Sequence, residues 1–205
     1  MSDLSPFVVR WLCHDLATPI ASVMTASELL DNDKPDAEIN ELIQFGAQRL
    51  TGRLRLVRLA LGAGESAMAG AALGKLVMAG LDSTPVDWGF HGDAADGMAP
   101  LVAGCAMLVA DLNRLRGIRV VEDGVHVPQG CNWPESVAGV FAGGPATCNR
   151  SAVAEMLTRA AARAGKRLDC DANGLRWAAI APETGSVSED LEAGEDFAAL
   201  QHKTS

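Results

Sequence analysis

The sequence predicts an α+β fold, in which an antiparallel pair of long helices precedes a mixed lobe of shorter helices and hairpin strands. Three observations carry that expectation. Apolar residues recur at three- and four-residue spacing through two N-terminal stretches of roughly 25 residues each. A short polar segment, Asp31-Asn32-Asp33-Lys34, separates the two. Beyond Gly62-Ala63-Gly64 the texture changes to short helical patterns alternating with strand pairs that turn on Asp123-Gly124 and Asn173-Gly174.

The first helix is expected from about Ser5 to Leu30, with Ser5 as N-cap and Pro6 at the first helical position, where its missing N–H costs nothing. Its apolar positions are Phe7, Val8, Trp11, Leu12, Leu16, Ile20, Val23, Met24 and Leu30. The second helix is expected to start near Pro35, with Asp36 and Glu38 at the positive end of its dipole. Its stripe of Ile39, Leu42, Ile43, Gly46, Leu50, Leu54, Val57 and Leu61 is close to a heptad. Joined by a short turn, the two make an antiparallel hairpin. A lone hairpin leaves much of its stripe wet, so pairing with a second copy into a four-helix bundle, a homodimer, is the expected remedy.

After the glycine-rich joint, a short helix is expected over Ala71–Leu81, a strand over Val86–Phe90, and an apolar helix over Met98–Leu115. Gly117–Val121 and Val125–Pro128 form one hairpin, helices follow near Pro134–Phe141 and Ser151–Ala164, and Arg167–Cys170 with Leu175–Ile180 form a second hairpin. The expected organisation is a helical-hairpin domain over 1–64, an α+β domain over 65–182 and an acidic, flexible tail over 183–205.

Composition narrows the partners. The formal charge is −9, and phosphate backbones demand clustered Lys and Arg, so no nucleic acid is expected. Cys13, Cys105, Cys131, Cys148 and Cys170 are widely spaced, with no C-x-x-C or Cys/His cluster, so neither a metal site nor a disulfide framework is expected. The N-terminus lacks a basic segment followed by an apolar run, and no run approaches the roughly 20 apolar residues that span a bilayer. The expected setting is the reducing cytoplasm, without a membrane.

Chemistry concentrates at His14-Asp15-Leu16-Ala17-Thr18-Pro19-Ile20. One helical step at a time from His14, the same face carries Thr18, Ala21 or Ser22, Thr25 and Glu28, opposite the apolar stripe. An exposed imidazole that is neutral near pH 7 is a good phosphoryl acceptor. Asp15 is expected to orient the ring or favour its reactive tautomer, and Thr18 to hold a water or a phosphoryl oxygen. Pro19 removes one internal hydrogen bond and is expected to bend the helix. Cys13 is expected to be a buried structural thiol. The second helix carries Arg49, Arg53, Arg55 and Arg58, either an ordinary solvated face or a docking surface for an acidic partner. Ser22, Thr25, Arg49 and Arg53 are the candidate partner-binding residues. His91, His126 and His202 have no companions at ligand spacing.

The stretch from His14 to Ile20 resembles the H-box of sensor histidine kinases, and the layout of the whole chain from about residue 5 to 182 resembles the ChpT-type bacterial histidine phosphotransferases. That resemblance implies a dimerisation and phosphotransfer hairpin followed by a degenerate, ATPase-like α/β sandwich. His14, Asp15 and Thr18 would be the catalytic residues of such a protein, with no autokinase activity and no cofactor. The resemblance implies as partners the receiver domain of a hybrid kinase (CckA-like), which would also supply the Mg2+, and response regulators of the CtrA-like and CpdR-like kinds. The helix at the N-box position reads MAPLVAGCAMLVADLNRL, with only Asn113 where a kinase spaces several asparagines. Glu122-Asp123-Gly124-Val125-His126 lacks the second glycine of a D-x-G-x-G turn. Gly143-Gly144-Pro145 has no lysine or further glycine for cradling phosphate, and is expected to be a turn between helices. The alternatives are an active histidine kinase with a divergent ATP site and a receiver-binding scaffold or phosphatase, the latter because Asp15 and Thr18 match a D-x-x-T spacing.

Overall fold

A computed structural model describes residues 4–29, 37–81, 83–113 and 116–180. The expected features at Leu30, at 31–34, at Pro35 and Asp36, at 114–115, at His202 and in the acidic tail lie outside the described residues. Ser5–Glu28 is α1 and Ala37–Ala60 is α2, 24 residues each, or about 36 Å at 1.5 Å per residue. Leu4, rather than Ser5, is the N-cap of α1, so Pro6 sits one position later than expected, still in the first turn where its missing N–H leaves nothing unpaired. The helix runs unbroken through Pro19.

The two helices are antiparallel. Asp15 of α1 meets Arg53 of α2, and further along α1, Val23 meets the earlier residue Gly46. A Cβ at Gly46 would lie 2.7 Å from Val23 Cγ2, so only glycine permits that approach. The expected stripes divide in two. Phe7, Val8, Trp11, Leu12, Leu16 and Val23 turn toward α2 and the lobe beyond, whereas Ile20 and Met24 remain 42% and 56% exposed. On α2, Ile43, Gly46, Leu50 and Val57 turn inward, and Leu42 and Leu54 stay exposed.

The rest follows the expected order with small shifts at the ends: α3 (Gly70–Gly80), β1 (Val86–Trp88), α4 (Met98–Leu112), β2 (Ile118–Val121), β3 (Gly124–His126), α5 (Glu135–Phe141), α6 (Asn149–Arg163), β4 (Lys166–Asp171) and β5 (Gly174–Ala179). The strands make one sheet in the order β1-β2-β3-β5-β4, with β1 and β2 parallel and the other neighbours antiparallel. Period-2 alternation explains its two faces. Ile118, Val120, Val125, Leu168, Leu175 and Trp177 are buried under the helices, while Asp87, Arg119, Asp169 and Arg176 are exposed. The architecture is α+β, as the sequence predicts.

Helix α4 is the centre of the molecule. Every residue from Met98 to Ala110 is buried. It packs against α2, α3, α6 and the inner face of the sheet at once, and a helix apolar on all sides suits only such a place. The hydrophobic core is therefore continuous, running from Trp11, Leu56 and Val57 of the hairpin through α4 to Leu175 and Trp177, across the expected boundary at residue 64.

Candidate functional site

His14 lies near the middle of α1 and is exposed. Thr18, Ser22 and Thr25, the next positions along its face, are exposed as well. Helical geometry turns this row away from the inward-facing Leu12 and Leu16, while Trp11, three residues before His14, stands at its buried edge. The Ser22 hydroxyl donates to the Thr18 carbonyl at 3.1 Å, which ties that polar row to the backbone. Pro19 has no N–H to offer the Asp15 carbonyl one turn back.

Asp15 is placed differently from the sequence expectation. Only 13% of its side chain is exposed, and both carboxylate oxygens are taken by Arg53. Arg53 Nε donates to Oδ2 at 2.5 Å and Nη2 to Oδ1 at 2.7 Å, the bidentate fork that makes an Arg–carboxylate pair directional. The carboxylate is thereby committed to α2 instead of to the imidazole. Arg53 is corrected in the same way. At 14% side-chain exposure it is an inner residue of the hairpin, and a guanidinium already engaged there does not present itself to a visiting partner.

Arg53 reaches a third acceptor, since Nη1 donates to the carbonyl of Gly80 at 3.2 Å. Gly80 ends α3, where carbonyls have no helical donor of their own and the helix dipole is negative. The approach is close because both surfaces are glycine. A Cβ at Gly52 would lie 2.4 Å from the Ala79 carbonyl oxygen, and one at Gly80 would lie 2.6 Å from Leu56 Cβ. Sequence reasoning missed this joint. Its signal was present, because Asp15 stands four residues after Trp11 and Arg53 four before Val57, two opposite charges set within apolar stripes.

The remaining candidates fall at the surface. Arg49 is half-buried, its guanidinium 5.6 Å from the centroid of the Phe45 ring, and Arg55 and Arg58 are exposed. Cys13 is exposed, contrary to the expectation of a buried thiol, because it points to the side of α1 away from Trp11 and Leu12.

At the expected nucleotide position, the few polar groups of α4 are already engaged. Asn113 is 5% exposed and donates to the Val109 carbonyl at 2.9 Å and to Cys131 Sγ at 3.2 Å. Asp111 is held by Arg150 Nε at 2.9 Å. Gly143 and Gly144 close the end of α5, donating to the carbonyls of Val140 and Gly139, and so form the expected turn between helices. Among the described residues, no helix is long and apolar enough to cross a membrane.

No family model matches the chain. In sequence it is similar to the protein phosphotransferase ChpT of Brucella abortus (strain 2308), 32% identical over 65 residues. That match covers 32% of this chain and 31% of the relative, so the chain spans less than a third of that relative's length. In structure it is similar to a bacterial phosphotransferase solved at 1.7 Å, with a TM-score of 0.68 over 86% of this chain and 96% of the other, at 18% identity. The structural likeness shows a shared fold. The chain resembles the ChpT-type phosphotransferases.

Proposed function

We propose that this protein is a histidine phosphotransferase, a phosphorelay intermediate acting through His14. The observation that carries the reading is an imidazole exposed in mid-helix, with Thr18, Ser22 and Thr25 exposed along the same face. A neutral ring nitrogen attacks the phosphorus of a receiver's phospho-aspartate. The P–O bond to the carboxylate breaks, the carboxylate leaves with the electron pair, and the ring releases its other proton to solvent. A second receiver reverses the step and takes the group onto its own aspartate. Such a transfer is mostly positioning and charge neutralisation, with Mg2+ brought by the receiver. The donor would be a hybrid-kinase receiver of the CckA-like kind, and the acceptors CtrA-like or CpdR-like regulators.

The reading includes a homodimer and a lobe that does not use ATP. Val9, Ile20, Met24, Leu42 and Phe45 are 42–57% exposed on the hairpin. That apolar surface on paired helices is the kind a second copy covers in a four-helix bundle. Against nucleotide use stands α4, which has no open face from Met98 to Ala110, and whose Asp111 and Asn113 are occupied.

The test mixes the full chain with a labelled, phosphorylated receiver domain and follows the label. Wild type is expected to accumulate acid-labile phosphohistidine at residue 14 and to pass it to a second receiver, whereas His14→Gln does neither. Relay through His14→Gln, or labelling of the isolated protein by γ-labelled ATP, would overturn the proposal.

A further inference from the structure

The reaction proposed above places a phosphoryl group carrying nearly two negative charges on His14, one residue from Asp15. An uncompensated carboxylate there would repel both the incoming donor and the product. We infer that Arg53 is the positioning residue of the His14 site: it cancels the Asp15 charge beside the phosphoryl group, and the C-terminus of α3 holds it in place to do so. The inference rests on the phosphotransfer reading and deepens it, because it makes the second lobe part of the electrostatics at His14.

Three features support it. Both Asp15 oxygens accept from the Arg53 fork, so the carboxylate charge is compensated from α2. Arg53 is itself oriented by the Gly80 carbonyl, an acceptor belonging to α3 rather than to the hairpin. Gly52 and Gly80 keep α3 near enough for that third bond. A lysine at position 53 would be a point charge without the planar fork, and would not hold the three acceptors together.

Potassium phosphoramidate provides a test that needs no partner. The imidazole nitrogen forms an N–P bond as the P–N bond of the reagent breaks, and the leaving amine takes up a proton and departs as ammonia. Labelling of the full chain at His14 would be followed by intact mass and by acid lability. The variants are Asp15→Asn, Arg53→Met and the double variant, with His14→Gln as the site control.

Arg53→Met is expected to be labelled about tenfold more slowly at low salt, the effect of an unshielded like charge at this range. The deficit should close toward 1 M salt, where the screening length falls to about 3 Å. The double variant, neutral at this pair as wild type is, should stay within about twofold of wild type, and Asp15→Asn, which frees the Arg53 charge, should be no slower than wild type. If Arg53→Met does not fold, the comparison of the double variant with wild type still decides, with rates within about twofold expected.

A double variant about tenfold slower than wild type, a deficit that salt does not change, or an inactive Asp15→Asn would each overturn the inference. A wild type that takes no label at His14 would instead bring down the phosphotransfer reading, and this inference with it.

Discussion

Gly52→Ala separates the demands of the helix from those of the packing. In an open helix interior this substitution stabilises by about 1 kcal/mol through backbone entropy alone. Here the added Cβ would lie 2.4 Å from the Ala79 carbonyl oxygen and 2.9 Å from its carbon, so ordinary contact at 3.4 Å requires α3 to retreat by about 1 Å. The obstacle is backbone and cannot rotate aside. Overpacking of this kind costs about 1–3 kcal/mol, which leaves a net loss of up to about 2 kcal/mol once the helix gain is subtracted.

For a chain of this size, the upper end of that range corresponds to a Tm lowered by roughly 4–8 °C. The Arg53–Gly80 hydrogen bond, now 3.2 Å, would stretch toward about 4 Å and cease to be one. Gly139→Ala is the control. Gly139 lies in α5 with nothing within 4 Å of a Cβ, so it should raise the Tm by roughly 2 °C. Thermal melts by far-UV circular dichroism measure both. A Gly52→Ala protein that melts as high as Gly139→Ala would refute the close approach of α2 and α3.

Three other perturbations test separate parts of the molecule. In the proposed homodimer, Met24→Glu with Phe45→Glu removes four exposed apolar side chains, so the dissociation constant should rise more than about a thousandfold, read by analytical ultracentrifugation. Trp11→Ala should cost about 3–5 kcal/mol in urea denaturation; because Trp11 and Leu175 belong to one core, helix and sheet signals should still be lost together. Partial burial raises the Cys148 thiol, but hydrogen bonds from Ser151, Ser136 and the start of α6 outweigh that and bring it down to about 7. The folded state therefore holds the thiolate more readily than the unfolded chain. The stabilisation it adds to the α6 cap should be full above the ordinary thiol range and be lost as pH falls through about 7. Cys148 alkylation, followed by peptide mass spectrometry, should also reach half its maximal rate near pH 7.

Much of this was legible in the chain because local signals agreed with their surroundings. The Asp123-Gly124 and Asn173-Gly174 turns, the polar row from His14 to Thr25, and the unbroken apolarity of Met98–Ala110 each specify an element and its exposure without help from distant contacts. Periodicity does not distinguish a stripe that packs within one chain from one left for another surface, which is why Ile20 and Leu42 looked equivalent to Val23 and Ile43. Asp15 was read by its neighbour His14, when its place four residues after Trp11 was the stronger constraint. The pairing with Arg53 depends on the register of two helices, and the third bond to Gly80 depends on glycines that meet only in the folded chain. Cys13 was misplaced because a thiol is so often interior that residue type outweighed its angular position.

Thirteen successive residues of α4, Met98 to Ala110, have no water-facing side. An asparagine or carboxylate introduced anywhere along that segment would enter a sealed interior without a partner, at a cost of several kcal/mol for a polar group and more for a charge. Any polar substitution along this helix would therefore sacrifice the keel on which both the hairpin and the sheet rest.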